Sequence, residues 1–246
     1  MKKYIWEIVF GSIACMLFAG IAIYVFAFNA TPFDELVYDN VIALKSDFFT
    51  RFFKLITFFG GKIFTILLAV ASIGLFINRN KSTYKRFLKK DKINNIFNMF
   101  LPAILFIFSI LLVTILFFVF KAIFARVRPI EWFMIQEDGW SFPSGHTATA
   151  LAMYGALCLI VNKSIDKKWL KAIITSATVI LVALIGLSRI YLGVHYATDV
   201  LAGASLGVVV LCITSILLKK SDTKICYSQQ IQSIQESEIV IEKEEE

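Results

Sequence analysis

Both histidines of the 246-residue chain lie in short polar motifs within an otherwise apolar sequence. His146 ends the motif Pro-Ser-Gly-His at 143–146, and His195 lies in the motif Ser-Arg-x5-His-x3-Asp at 188–199. A third polar motif, Lys-x6-Arg-Pro, occupies 121–129. Histidine exchanges protons near neutral pH, and arginine and lysine are common phosphate-binding residues. Together the three motifs predict chemistry on a phosphate group.

The motif that holds His195 is the most specific of the three. Asp199 follows His195 by four residues at the start of a predicted helix, so both side chains project from one face. An aspartate that accepts a hydrogen bond from one ring nitrogen leaves the other free to attack. Arg189 ends the preceding helix, and Gly193 allows the short turn that brings it to the same side. The alternative is a structural His–Asp cap. A zinc site is disfavoured because no cysteine has a suitable spacing.

The motif that ends in His146 begins another predicted helix. Ser144 is a preferred N-cap residue, and Gly145 lets a ligand approach the backbone closely. Free backbone N–H groups and the positive end of the helix dipole favour anionic oxygens there. From the first turn, His146 can donate a proton to a leaving oxygen. The alternative is an ordinary helix cap followed by a histidine at the membrane interface.

The basic motif places two cations two helical turns apart. Lys121 and Arg128 share one face of a continuous helix, whereas Arg126 between them points elsewhere. Pro129 ends that helix. With Arg189, these cations predict a cradle for a phosphate, in which arginine makes bidentate hydrogen bonds. The alternative is a pair of basic side chains that extend from a helix end towards the headgroup region.

The composition around these motifs is that of a membrane protein. Hydrophobic residues make up 58% of the chain and charged residues 17%, against about 45–50% and about 25% in soluble domains. The apolar runs reach the roughly 20 residues that a helix needs to cross a bilayer. We therefore predict an all-α, polytopic membrane protein whose first helix is not a cleaved signal peptide. Its six transmembrane helices are expected at about 5–28, 53–77, 97–120, 144–162, 172–190 and 197–218.

The distribution of basic residues predicts the orientation of these helices. The net charge is +7, and most of it lies in short segments between apolar runs, including 79–92 and 163–171. Because positively charged loops face the cytoplasm, we expect both termini inside. The three polar motifs then lie on the extracytoplasmic side of the cell membrane. A continuous basic face with interleaved aromatic residues is absent from the sequence, which argues against a nucleic-acid partner.

Other segments carry predictions of their own. Segment 29–52 predicts an amphipathic helix, which either lies in the outer interface or packs over the helix ends as a lid. Gly203 and Gly207 predict close helix packing, within the monomer in preference to a dimer. The polar C-terminal residues predict a disordered cytoplasmic tail at 221–246, which follows a membrane domain at 1–220. The four cysteines show no spacing typical of disulfides or metal sites.

The three motifs together resemble the signature of the type-2 phosphatidic acid phosphatase superfamily. All three parts are present without a departure, and the resemblance covers about residues 5–218. It implies that His195 is the nucleophile, oriented by Asp199, and that His146 is the general acid and then the base that activates water. It also implies a clamp on the phosphoryl oxygens. The clamp residues are Lys121, Arg128, Ser144, Gly145 and Arg189.

The resemblance and the apolar surroundings of the site predict a lipid phosphate as substrate. Phosphatidylglycerophosphate, phosphatidic acid and undecaprenyl pyrophosphate all fit, and no residue separates them. Three cations supply positive charge, so we expect metal-independent hydrolysis without a cofactor. One alternative is a phosphotransferase that passes the phosphoryl group from His195 to another lipid. A less supported alternative is a non-enzymatic lipid-binding membrane protein. The oligomeric state is left open.

Overall fold

The computed structural model describes residues 2–28, 31–87 and 93–244 as an all-helical protein without strands in those ranges. The all-α class predicted from the sequence is confirmed. The α-helices in these ranges are α1 Ile5–Phe28, α2 Pro32–Ile42, α3 Asp47–Phe58, α4 Lys62–Phe87, α5 Ile93–Phe124, α6 Gly145–Lys163, α7 Lys168–Tyr191 and α8 Ala197–Glu244. Short 3-10 turns occupy Lys2–Tyr4 and Ile130–Trp132.

Among the described residues, four helical segments are long and apolar enough to cross a membrane. They are Ile5–Phe28, Phe100–Phe124, Lys168–Tyr191 and Ala197–Ser221. The chain is thus a multi-pass membrane protein, and these four segments overlap predicted spans. The predicted span at 144–162 coincides with α6, which is not among the four because polar and small residues fill its first turns. Six spans therefore stay a prediction.

The predicted span at 53–77 is broken at residues 59–61, near its N-terminal end, and is corrected to two helices. α3 and the Lys62–Leu75 part of α4 meet at a bend of 46°, and they count as a fifth span if the pair crosses together. Gly60 allows the turn to approach α7 closely, since a Cβ at that position would lie 2.6 Å from Cγ2 of Ile185.

Segment 29–52 also differs from its prediction, because it holds α2 and the start of α3 in place of one amphipathic helix. Thr31 caps α2 in a capping box with Asp34, whose backbone N–H donates to Thr31 Oγ1 at 3.1 Å. Two apolar residues spaced for one face of the predicted helix differ in burial: Val41 is buried but Phe48 is 71% exposed. α2 packs against α7 and α8, which matches the alternative of a helix over the helix ends. Its position relative to a membrane stays a prediction.

α6 lies at the centre of the helix bundle, against α5, α7 and α8. Two glycines of α8 make that contact close. A Cβ at Gly203 would lie 2.5 Å from the Ser144 carbonyl oxygen, and one at Gly207 would lie 2.8 Å from Cβ of Leu151. The small-residue pair therefore packs within the chain, as the sequence predicts. This contact brings the start of α6, with His146, beside the start of α8.

α8 continues as a helix to Glu244, where the composition predicts a disordered tail. Neither glycine nor proline follows Gly207 in the sequence, so no residue after it interrupts helical geometry. The division of the chain at residue 220 into a membrane domain and a cytoplasmic tail stays a prediction.

Candidate active site

The three polar motifs meet at one cavity of about 580 Å³, which lies between α4, α5 and the loop that follows α5. Five predicted site residues line it: Lys121, Arg128, Gly145, His146 and His195. The other three are buried and contact its surroundings: Ser144, Arg189 and Asp199. The structure thus brings all eight predicted residues to one place.

His195 and Asp199 form the pair that their spacing predicts. His195 lies in the short connection before α8, and Asp199 in the first turn of that helix. Nδ1 of the imidazole lies 3.4 Å from Oδ2 of the carboxylate, and both side chains are buried. Gly193 has a φ of 70°, which lets the chain turn sharply between Arg189 and His195.

The other ring nitrogen of His195 faces the cavity and a cation. Nη1 of Arg128 lies 3.2 Å from Nε2. Because a guanidinium only donates hydrogen bonds, Nε2 accepts here and the ring proton resides on Nδ1, beside Asp199. Burial, followed by the charges of Arg189, Arg128 and Lys121, holds the pKa of His195 well below its usual range. The imidazole is therefore neutral near pH 7, and its unprotonated Nε2, which accepts from Arg128, belongs to a side chain that lines the cavity.

Arg128 is fixed by backbone oxygens of the segments around it. Its Nε donates to the Gly139 carbonyl at 2.8 Å, its Nη1 to Val194 at 2.7 Å and its Nη2 to Asp138 at 3.1 Å. Three main-chain acceptors on two segments hold the guanidinium plane in one orientation. Arg128 thus joins the loop after α5 to the connection before α8.

Lys121 and Arg189 both contact the loop after α5. Lys121 Nζ donates to the carbonyl oxygens of Trp140 and Ser141, the latter at 3.2 Å. Arg189 donates from Nη1 to Thr57 Oγ1 at 2.6 Å, and its Nη2 forms an ion pair with Glu137. The three predicted cations are therefore held by hydrogen bonds and an ion pair to residues of different elements.

Glu137 places a carboxylate among these cations, at a position that the sequence analysis missed. It lines the cavity and pairs with Arg189. Burial alone would raise the pKa of Glu137, but the charges of Arg189, His146 and Arg128 lower it to about 2. Glu137 thus already places an anion among the cations that are predicted to bind the phosphate. The acidic residues Glu131, Glu137 and Asp138, in the loop between the motifs at 121–129 and 143–146, were the signal available in the sequence.

The start of α6 differs in one respect from its prediction. Ser144 occupies the N-cap position, but its side chain makes no capping hydrogen bond. Its N–H donates to the Asp199 carbonyl at 2.9 Å, and its Oγ accepts from Thr147 at 3.1 Å. Ser144 therefore ties α6 to α8. Gly145 lines the cavity, and a Cβ there would lie 3.1 Å from the Phe117 ring.

His146 faces the break between α3 and α4. A Cβ at Gly60 would lie 3.5 Å from its Cδ2, and one at Gly61 would lie 3.9 Å from its Nε2. The glycine turn therefore forms the wall of the cavity next to this imidazole. These glycines were not predicted to lie at the site, because 53–77 was predicted to be one helix.

Ser141 is a further residue that the sequence analysis missed. Its hydroxyl donates to Oδ2 of Asp199 and lies 3.4 Å from Nδ1 of His195. Its place two residues before Pro143 was the available signal. Within the described ranges, no group of three or more His, Cys, Asp or Glu side chains is arranged to hold a metal ion.

Fold and site define the class of the protein, an all-helical membrane protein with two histidines in a cationic cavity. Residues 102–222, about half of the chain, match the family model of the PAP2 superfamily, and this part of the chain is a PAP2 superfamily domain. All three polar motifs lie within it.

Known proteins and structures are similar to this chain. Phosphatidylglycerophosphatase B of Bacillus subtilis (strain 168) is 40% identical over 109 residues, which cover 44% of this chain and 51% of that protein. The chain thus matches about half the length of this curated relative. The crystal structure of a transmembrane PAP2 type phosphatidylglycerolphosphate phosphatase from Bacillus subtilis superposes with a TM-score of 0.71 at 23% identity, over 85% of this chain and 96% of that one. LpxE of Aquifex aeolicus superposes with a TM-score of 0.53 at 25% identity, over 76% and 97%. These structures share the fold.

Proposed function

We propose that the chain is a membrane phosphatase that hydrolyses the phosphomonoester or pyrophosphate of a lipid through a phosphohistidine. The unprotonated Nε2 of His195, a residue that lines a cationic cavity together with His146, is the observation that carries this proposal. A neutral imidazole whose other nitrogen is held by a carboxylate is an activated nucleophile. The PAP2 superfamily domain and the name of the Bacillus subtilis relative support the same class of reaction.

The proposed reaction has two steps that use the histidines differently. In the first, the Nε2 lone pair of His195 bonds to phosphorus while the bond from phosphorus to the leaving oxygen breaks, and His146 protonates that oxygen. In the second, His146 takes a proton from water, whose oxygen attacks phosphorus and breaks the N–P bond. Inorganic phosphate leaves and both imidazoles return to their first state. Asp199 balances the positive charge on the phosphorylated ring.

Lys121, Arg128 and Arg189 are proposed to surround the phosphoryl oxygens, with the N–H of Gly145 at the start of α6. Phosphoryl transfer depends mainly on positioning and on stabilisation of charge. These three cations supply positive charge that a metal ion would otherwise bring, so the proposed hydrolysis needs neither metal nor cofactor. Ser144, which does not line the cavity, is proposed to contribute by holding α6 against α8.

A lipid substrate is supported by the walls of the cavity. Apolar side chains of α4 and α5 form part of these walls: Ile66, Ile110, Phe117 and Phe118. Ile66 and Phe118 are 62% and 53% exposed, on faces that would meet acyl chains in a bilayer. A lipid tail between α4 and α5 would then present its phosphate to His195. Phosphatidylglycerophosphate is favoured by the name of the relative, with phosphatidic acid and undecaprenyl pyrophosphate as further candidates.

The proposed enzyme lies in the cell membrane with six spans, both termini in the cytoplasm and the cavity on the extracytoplasmic side. This orientation follows from the basic segments between the apolar runs. In this arrangement α6 would be shielded from lipid by α5, α7 and α8, which it contacts. Such shielding would let its polar first turns lie in the bundle.

A panel of lipid phosphates tests the proposed function. Purified protein in detergent is assayed for phosphate release with each candidate lipid, as wild type, His195→Ala, His146→Ala and the exposed control Lys168→Ala. We expect His195→Ala to abolish turnover, His146→Ala to lower it by roughly 10²–10⁴-fold, and the control to leave it unchanged. Near-normal turnover by His195→Ala would show that His195 is not the nucleophile.

Two further conditions in the same assay test metal independence and the choice between hydrolysis and phosphotransfer. Activity is expected to persist in EDTA, and a loss that added metal restores would contradict metal independence. Addition of diacylglycerol as acceptor separates hydrolysis from phosphotransfer. Free phosphate as the product supports the phosphatase, and new phosphatidic acid supports the transferase.

A further inference from the structure

Arg126, the middle basic residue of the 121–129 motif, lies behind the His–Asp pair and not in the cavity. Its Nη1 donates to Oδ1 of Asp199 at 2.6 Å and to Oγ1 of Thr198 at 2.8 Å. Its Nη2 donates to Oδ2 of Asp34 at 2.8 Å. The guanidinium also lies over the Tyr196 ring, 3.9 Å from its centre. Arg126 therefore bridges two carboxylates in the protein interior.

Asp34 anchors the far side of this bridge to α8. Its Oδ1 accepts hydrogen bonds from the N–H of Thr198 at 2.8 Å and from Oγ1 of the same residue at 2.9 Å. The side chains of Asp34, Arg126 and Asp199 are at most 1% exposed. Buried charges are tolerated when they are paired and hydrogen-bonded. These contacts form a row of alternating charge that ends at His195.

The two oxygens of Asp199 have different partners, which fixes the rotation of the carboxylate. Oδ1 accepts from Arg126. Oδ2 accepts from the Ser141 hydroxyl and from the N–H of Tyr196 at 2.9 Å, and it faces Nδ1 of His195. Without Arg126, Oδ1 would lose a charged donor and the carboxylate could turn. The orientation of His195 thus depends on a residue that does not line the cavity.

We propose that Arg126 and Asp34 are positioning residues for the nucleophile: Asp34 holds Arg126, which holds Asp199 against His195. This inference rests on the proposed function. When Nε2 bonds to phosphorus, the imidazole becomes positively charged and Asp199 must balance it. Arg126 alone would oppose that charge, and Asp34 compensates for Arg126. Asp34 belongs to α2, so this helix takes part in positioning the nucleophile.

Kinetics of substituted proteins test this proposal. Arg126→Gln, Arg126→Lys and Asp34→Asn are compared with two exposed controls, Arg51→Gln and Asp39→Asn. We expect kcat to fall by roughly tenfold or more while KM changes less than about twofold, because the substituted groups act on the transition state and do not bind the lipid. Lysine keeps the charge but replaces the two separate donor nitrogens of the guanidinium with one, so Arg126→Lys should fall between wild type and Arg126→Gln.

A double-mutant cycle separates positioning from general damage to the fold. Each substitution is repeated in an Asp199→Asn background. If Arg126 and Asp34 act through Asp199, their removal costs little more kcat in that background, since residues of one network are not additive. Equal losses in both backgrounds would overturn the proposal, as would wild-type kcat in Arg126→Gln.

A spectroscopic measurement tests the same inference without requiring turnover. The sequence has two histidines, so a His146→Gln protein labelled with ¹⁵N-histidine reports on His195 alone. We expect a downfield Nδ1 proton resonance, which Arg126→Gln and Asp34→Asn shift upfield and Asp39→Asn leaves in place. An unchanged resonance in the first two would contradict the positioning role. If wild type hydrolyses no lipid phosphate, the proposed function fails, while this spectrum still decides whether the row orients His195.

Discussion

The two nitrogens of His195 have opposite surroundings, and this difference defines its proposed role. Nδ1 faces Asp199 at 3.4 Å, and Nε2 faces Arg128 at 3.2 Å. The ring is buried and its pKa is lowered, so it does not need to lose a proton near pH 7 before it can attack. Protonation would place a cation beside Arg128 and Lys121.

At the same scale, Glu137 is expected to compete with the phosphate for Arg189. Its carboxylate pairs with that guanidinium, and its side chain is 25% exposed. An ion pair of this exposure contributes about 1 kcal/mol, which corresponds to roughly a fivefold change in affinity. We therefore predict that Glu137→Gln binds orthovanadate, a phosphate analogue, about fivefold more tightly than wild type, measured as a Ki. Glu131→Gln, an exposed residue of the same loop, is the matched control. Weaker binding by Glu137→Gln would show that the carboxylate assists the anion.

The pH dependence of this ion pair follows from the pKa of Glu137, about 2 against an ordinary 4.5. A lowered carboxyl pKa contributes stability above the ordinary value, and that contribution is lost as the pH falls from 4.5 towards 2. Glu137 therefore stays ionised throughout the neutral range. The gain of Glu137→Gln in vanadate affinity should accordingly be the same at pH 6 and at pH 8.

At the scale of the elements, the contact between α6 and α8 sets the distance between the two histidines. His146 belongs to the first turn of α6, and His195 immediately precedes α8. Gly203 of α8 lies against the backbone of Ser144, with no space for a Cβ. The site is thus assembled by close helix packing and not by its loop alone.

We predict that Gly203→Ala pushes α6 away from α8. The new methyl group would lie 2.5 Å from a carbonyl oxygen that cannot move alone, and overpacking of this kind costs roughly 1–3 kcal/mol. Both the thermal denaturation midpoint in detergent and kcat should fall. Gly20→Ala in α1, where no heavy atom lies within 4 Å of the added Cβ, is the control. Equal midpoints for the two variants would contradict this view of the contact.

The elements also show where prediction from sequence ends. The spacing of His195 and Asp199 predicts their pairing, because one helix turn decides it. The pairing of Arg126 with Asp34 joins residues 92 positions apart, and local periodicity contains no information on such a contact. The break at Gly60 was missed because the apolar runs on both sides of it read as one span.

At the scale of the whole molecule, hydropathy predicts the membrane class and four apolar segments, since the composition of each segment decides them. It predicts α6 less well, because a central helix is surrounded by protein and tolerates polar first turns. The convergence of three motifs on one cavity was predicted from their shared side of the membrane. That side itself rests on the distribution of basic residues and stays a proposal.

The proposed mechanism requires a covalent phosphoryl group on His195, which rapid-quench labelling detects. Wild type and His195→Ala are mixed with ³²P-labelled lipid phosphate, quenched in alkali within one turnover and analysed by peptide mass spectrometry. We expect one phosphorylated peptide, with the phosphate on His195, and none in His195→Ala. Label on another residue, or hydrolysis by wild type without a labelled peptide at any quench time, would contradict it.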